Sequence, residues 1–170
     1  MDPLNAEVLP LPDAAQLARV TIRLVLAAAL GWLLGAERES MGKAAGSRTH
    51  MLVSLGAALF VVVPAEIGMR EGDLGRVIQG IAAGIGFLGA GTILKRTDQG
   101  EITGLTTAAT IWLTAAIGLC VGMGLIWIAA VCAIGGWVIL YLAALGERSS
   151  KPDPQQHDQS GAEVVTRRSP

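Results

Sequence analysis

A chain of 170 residues in which 52% of side chains are hydrophobic and 16% charged carries more apolar surface than one soluble core of this size buries, so lipid must cover the excess. The mean hydropathy of +0.53 agrees. A net charge of −1, with no Lys/Arg run interleaved with aromatics outside the apolar segments, excludes a nucleic-acid partner.

Residues 1–16 hold Asp2, Glu7 and Asp13, three prolines and no Lys or Arg. A cleavable signal peptide needs a basic n-region, so the first apolar segment is expected to stay and to span, leaving 1–16 as an outer tail. The first span, 17–36, carries Gly31 and Gly35. Only 13 uncharged residues separate Arg23 from Glu37. That is about 20 Å of helix, which puts Arg23 below the headgroups and in need of a partner. Glu66, near the end of the second span (49–67), falls in the same leaflet and is the predicted partner.

The cluster Glu37-Arg38-Glu39 closes the first span. Mg²⁺ takes oxygen ligands, usually a carboxylate or two with retained waters, and one such cluster is unspecific for it. Pairing with Arg48 or Lys95 is expected instead. His50, at the start of the second span, reads as an interfacial residue, and His157 lies apart from it in the tail, so no metal constellation is present.

The third span, 77–94, is VIQGIAAGIGFLGAGTIL, with Gly80, Gly84, Gly86, Gly89 and Gly91 and no charge. Each glycine costs about 1 kcal/mol against alanine in a water-exposed helix, whereas in lipid it lets neighbours approach. The segment rises about 27 Å against a hydrocarbon core of about 30 Å. Projected at about 100° per residue, Gly80, Gly84 and Gly91 share one stripe and Gly86 and Gly89 lie on the opposite one. Two close neighbours follow, which places this helix at the bundle's centre, against Gly31 and Gly35 of the first span and Gly118 and Gly122 of the fourth. The plain reading of these glycines is packing alone. Gly84, Gly86 and Gly89 also spell G-x-G-x-x-G, but the dinucleotide fingerprint needs a strand before it and an acidic residue after it, and both are missing.

On the fourth span, 103–121, Thr103, Thr106, Thr107, Thr110 and Thr114 fall within an arc of about 100°. Either each hydroxyl bonds to the carbonyl one turn back or to a neighbouring helix, or the stripe lines a water-accessible polar cleft whose mouth carries Glu37, Arg38, Glu39 and Arg48. Gly122-Met123-Gly124 breaks the long uncharged run, and the fifth span is 125–145. Cys120 and Cys132 differ in depth by about 9 Å, too far for a disulfide, and read as packing residues. Residues 147–170 are polar and aperiodic and are expected to form a disordered cytoplasmic tail.

The fold expected is an all-α, polytopic membrane bundle of five spans. Arg38, Lys43, Arg48, Lys95, Arg96, Arg148, Lys151, Arg167 and Arg168 then fall on one side and Arg19, Arg23, Arg70 and Arg76 on the other. The more cationic side is expected to be cytoplasmic, with the N-terminus outside. No G-x-S-x-G, H-E-x-x-H or Walker loop occurs, so neither an enzyme nor a cofactor is expected.

The segments LGWLLGAERE, AGSRTHMLVSLGAALF, GIGFLGAGTILK, GLTTAATIW and AAIGLCVGMG occur in that order. Over 30–124 the chain resembles the MgtC/SapB family. The resemblance implies a bacterial inner-membrane protein of five spans with a cytoplasmic C-terminus, associated with adaptation to low Mg²⁺. In the family's virulence branch it also implies survival inside host cells through control of the F-type ATP synthase and membrane potential rather than Mg²⁺ import. The motif positions carried over are Glu37, Arg38, Arg48, Gly84, Gly86, Gly89, Gly91, Thr106 and Thr107. The chain departs from the virulence branch in having only the tail after Glu147 where that branch has a long cytoplasmic domain. It also has Thr106 where that branch has Asn, and so resembles the short, SapB-like form. The function expected is a regulator of membrane energetics or ion homeostasis, acting through helix contacts with a second copy or with a membrane complex such as the F-type ATP synthase. The alternative is a small ion or solute transporter or channel using the threonine cleft.

Overall fold

The computed structural model describes residues 12–95 and 102–149. It contains helices α1 (Ala14–Ser40), α2 (Ser47–Glu66), α3 (Glu71–Ala90), α4 (Leu105–Gly122) and α5 (Ile126–Ser149). Between α3 and α4 lies a short antiparallel ribbon of β1 (Leu94–Lys95) and β2 (Ile102–Thr103). Four of the helices, α1, α2, α4 and α5, are long and apolar enough to cross a membrane. Large side chains such as Leu52, Phe60, Trp127 and Ile139 are exposed around the bundle, a surface suited to lipid. The architecture is the all-α membrane bundle expected.

Local chemistry sets the helix ends. Asp13 accepts from the Gln16 N–H and caps α1. The helix then runs through Glu37, Arg38 and Glu39 to Ser40, so that cluster occupies its last turn instead of following it. The N-cap of α2 is Gly46, which has no side chain to offer, and Glu39 Oε2 supplies the missing acceptor by taking the Ser47 N–H at 3.0 Å. Helix α5 extends to Ser149, so the start of the predicted tail is helical, while 1–11 and 150–170 lie outside the described residues.

The third helix departs most from expectation. It starts at Glu71, with Glu71 and Asp73 favourably placed in its first turn, and it ends at Ala90. Thr92 Oγ1 donates to the Gly89 carbonyl at 2.8 Å, and the chain then enters β1. The predicted span 77–94 is therefore helical only to Ala90.

Packing shows that adjacent helices alternate in direction. Gly31 of α1 meets His50 and Ser54 of α2 while Gly35 meets Ser47, an antiparallel pair. Gly118 and Gly122 of α4 meet Ser54 and Ala58 of α2 in parallel, and Gly89 near the end of α3 meets Ala108 near the start of α4. The helix at the centre is α4, which packs on each of the others and belongs to both buried apolar clusters, through Ile117 and Val121 in one and Ile111 and Ala115 in the other.

Central placement of the glycine-rich third helix is thus corrected. Helix α3 packs chiefly on α4 and α2, and only Ile85 and Gly89 of it are buried. A Cβ added at Gly80, Gly84 or Gly86 would meet nothing within 4 Å. Gly31, Gly35, Gly118 and Gly122 do make close crossings, but their common partner is α2. Glycine spacing reveals a face of low relief; it does not say which helix lies against it, or whether lipid does.

Candidate functional site

Of the polar residues singled out from the sequence, Arg38, Thr106 and Thr107 come together where the end of α1, the 41–46 turn, the start of α4 and the end of α5 meet. A cavity of about 260 Å³ opens there, lined among others by Arg38, Lys43, Gly104, Thr106 and Thr107. Arg38 is buried, and its Nε and Nη2 bond the two carboxylate oxygens of Glu37 at 2.6 and 3.0 Å. This pairing of neighbours stands where one of Glu37 with Arg48 was expected. The side chain of Lys95, and Arg96 entirely, lie outside the described residues. Glu39 and Arg48 are exposed and do not line the cavity. Glu39 lies on the aqueous side, past the apolar stretch of α1, where the Ser47 side-chain and backbone hydrogen bonds hold its carboxyl below the usual carboxylate range, with Arg48 adding to the effect.

The threonine stripe divides in two. Thr110 Oγ1 donates to the Thr106 carbonyl at 2.6 Å and Thr114 Oγ1 to the Thr110 carbonyl at 2.8 Å, both buried among helices. Those hydroxyls are spent within α4, as the plain reading had it. Thr106 and Thr107 instead border the cavity, while Thr103 belongs to β2 and is exposed. A cleft following all five threonines is therefore not formed; the polar opening stops at Thr107.

Deeper in the bundle, His50 and Ser54 of α2 are fully buried against Gly31 and Gly118. His50 Nδ1 lies 2.9 Å from the Gly46 carbonyl, whereas His50 Nε2 and Ser54 Oγ have no hydrogen-bond partner. His50 is thus a core residue and not the interfacial one expected.

At the opposite end, the predicted Arg23 to Glu66 pair is replaced. Arg23 Nη1 donates to the Gly122 carbonyl at 3.2 Å, and Glu66 accepts from Gln16 Nε2. The last carbonyls of a helix are unsatisfied and carry the negative end of its dipole, which a cation can meet as well as a carboxylate can. Cys120 and Cys132 are free thiols.

Reading the sequence missed Gly104, Lys43 and Ser54 as parts of these sites. Gly104 stands at φ +92°, and a Cβ there would collide with the Thr92 carbonyl oxygen, so only glycine lets the ribbon pass so close to α4. Its position directly before the Leu-Thr-Thr start of a span was the available signal. Among the described residues, no three His, Cys, Asp or Glu side chains come together as a metal site would require.

Comparison with known proteins adds the following. The MgtC family model matches residues 24–148. Protein SrpB of Synechococcus elongatus is 48% identical over 120 residues, covering 62% of this chain and 64% of that protein. Protein MgtC of Brucella abortus is 45% identical over 118 residues, covering 69% of this chain and 48% of that protein. YhiD of Escherichia coli K12, a candidate magnesium transporter by its name, is 44% identical over 116 residues, covering 64% of this chain and 53% of that protein. The matched region spans about half to two thirds of the length of these relatives. No solved structure matches the chain.

Proposed function

The chain belongs to the MgtC family, and from that premise we propose that it is a non-enzymatic, multi-pass inner-membrane protein of Mg²⁺ homeostasis that regulates through helix contacts instead of carrying the ion. Its N-terminus is outside and its C-terminus cytoplasmic, because the Arg38 end carries the greater share of cations. The observation that carries the regulatory reading is the sign and extent of the polar cavity. Among the described residues its charged lining is Arg38 and Lys43, it ends at Thr107, and the deeper threonines are closed on their own helix. A Mg²⁺ path wants carboxylate or carbonyl oxygens and retained waters along its length. The partner proposed is a second copy of the chain or a membrane complex such as the F-type ATP synthase. A transporter is the second reading, favoured by the name of the E. coli relative.

Reconstitution into vesicles loaded with a Mg²⁺ indicator separates the two. The expected result is Mg²⁺ entry no faster than in protein-free vesicles. Entry that Thr106→Val abolishes would overturn the regulator.

A further inference from the structure

The cavity beside Arg38 has features that Mg²⁺ homeostasis does not use. Arg38 is 3% exposed, and its bidentate bond to Glu37 occupies Nε and Nη2 only; Nη1 makes no hydrogen bond among the described residues. A guanidinium has five N–H donors in a planar fork suited to carboxylate and phosphate oxygens. Lys43 is a second cation of the lining, and among the described residues no carboxylate lines the cavity. Glu37 pairs with Arg38 from behind.

Helix α4 begins at this cavity. Its N-cap is Gly104, which makes no side-chain cap bond. The N–H groups of Leu105, Thr106 and Thr107 precede the first intrahelical bond, Ala108 N–H to Gly104 carbonyl, and have no partner among the described residues. Such a helix start is an anion-binding element through its free donors and the positive end of its dipole. Thr107 supplies an independent sign. It is 3% exposed and lines the cavity, yet its hydroxyl makes no hydrogen bond among the described residues, in contrast to Thr110 and Thr114 further along the same helix. A hydroxyl that lines the cavity from a residue only 3% exposed, beside a guanidinium fork with donors to spare, marks a place where a ligand's acceptor oxygens can be met.

We propose that this cavity binds a phosphate group, held by the Arg38 Nη1 donors, the Thr107 hydroxyl and the free N–H groups at the start of α4, with Lys43 at its edge. The described lining suits an anion better than a divalent cation, since it presents the Arg38 and Thr107 donors where Mg²⁺ needs oxygen acceptors. The volume of about 260 Å³ is several times the roughly 30 Å³ share of one water, room for a phosphate and its ester-linked neighbour atoms. Inorganic phosphate and the headgroup of an anionic phospholipid share this chemistry, and the site stands whether the chain regulates or transports.

The full chain is purified in a neutral detergent and its thermal unfolding followed with sodium phosphate, sodium chloride at matched ionic strength, and magnesium chloride. In parallel, native mass spectrometry follows retention of phosphatidylglycerol against phosphatidylcholine. Thr107→Val keeps shape and removes the hydroxyl; Thr107→Ser restores it. Loss of one hydrogen bond to a charged ligand should weaken binding about tenfold. Saturable stabilisation by phosphate, weakened about tenfold in Thr107→Val and recovered in Thr107→Ser, supports the site with a soluble ligand. Preferential retention of phosphatidylglycerol with the same dependence on residue 107 supports it with a lipid ligand. Phosphate and phosphatidylglycerol binding both indifferent to Thr107→Val in a protein that still folds would overturn it, as would Mg²⁺ stabilisation lost in that variant. If Thr107→Val does not fold, Lys43→Gln in the turn outside the helices replaces it, and binding unaffected by that change overturns the site equally.

Discussion

The glycines of this chain fall into two sorts, and single substitutions should separate them. A Cβ at Gly118 would strike the Ser54 carbonyl oxygen, and one at Gly31 would lie 2.5 Å from the His50 carbonyl oxygen. Both obstacles are backbone, which cannot rotate away. Gly118→Ala should therefore destabilise by about 1–3 kcal/mol, the usual range for overpacking. A Cβ at Gly84 meets nothing within 4 Å. Gly84→Ala should leave stability unchanged or raise it by up to about 1 kcal/mol through helix propensity. Unfolding of each variant in mixed micelles gives the comparison, and equal losses at both positions would contradict the packing described. Ser54 offers a test of opposite sign. Its buried hydroxyl has no partner, so Ser54→Ala removes an uncompensated polar group without opening a large void. The same unfolding measurement should show no loss, and a gain of up to about 1 kcal/mol.

Among elements, the end of α4 shows how a charge can be held without an opposite charge. Arg23 reaches across from α1 to the Gly122 carbonyl, and Gly124, at φ +83°, keeps open the space its guanidinium fills. Arg23→Gln should cost about 1 kcal/mol, the scale of a cation at a helix C-terminus. Exchanging the charges in an Arg23→Glu, Glu66→Arg double variant should not restore what Arg23→Glu loses, because the two side chains have different partners. Recovery in the double variant, measured by the same unfolding, would reinstate the ion pair that depth alone suggested. The contrast marks what was legible from residues. Four of the five predicted spans were readable as long apolar helices, because lengths of uncharged sequence and breaks such as Gly122-Met123-Gly124 are local. The cavity was half readable, since Arg38, Thr106 and Thr107 stand in recognisable segments, but Gly104 and Lys43 join them only through the ribbon and the 41–46 turn. Arg23's acceptor was unreadable, because a backbone carbonyl at a helix end is announced by no side chain. The placement of α3 was misread because α4, with its branched residues, small residues and threonines buried on several sides, gives no simple periodic stripe for a central helix.

For the molecule as a whole, the direction of α3 decides the topology. By length and composition α3 falls short of the other four helices, its uncharged helical part, 77–90, rising about 21 Å. Yet it lies antiparallel to α4, with Gly89 against Ala108, and α4 runs parallel to α2, with Gly118 and Gly122 against Ser54 and Ala58. A peripheral helix of this kind can be short because Glu71, Asp73 and Arg76 stand at one end of it, where they can reach the headgroups, and the ribbon takes over at the other. The start of α3 then faces the compartment opposite to the 41–46 turn. With Cys120 and Cys132 changed to Ala, Gly72→Cys and Lys43→Cys should react with a membrane-impermeant maleimide from opposite sides of sealed vesicles. Gly72 suits this because a Cβ there meets nothing within 4 Å. Labelling of both positions from one side would mean that α2 does not cross the bilayer as α1 and α4 require, and the alternating bundle would have to be redrawn.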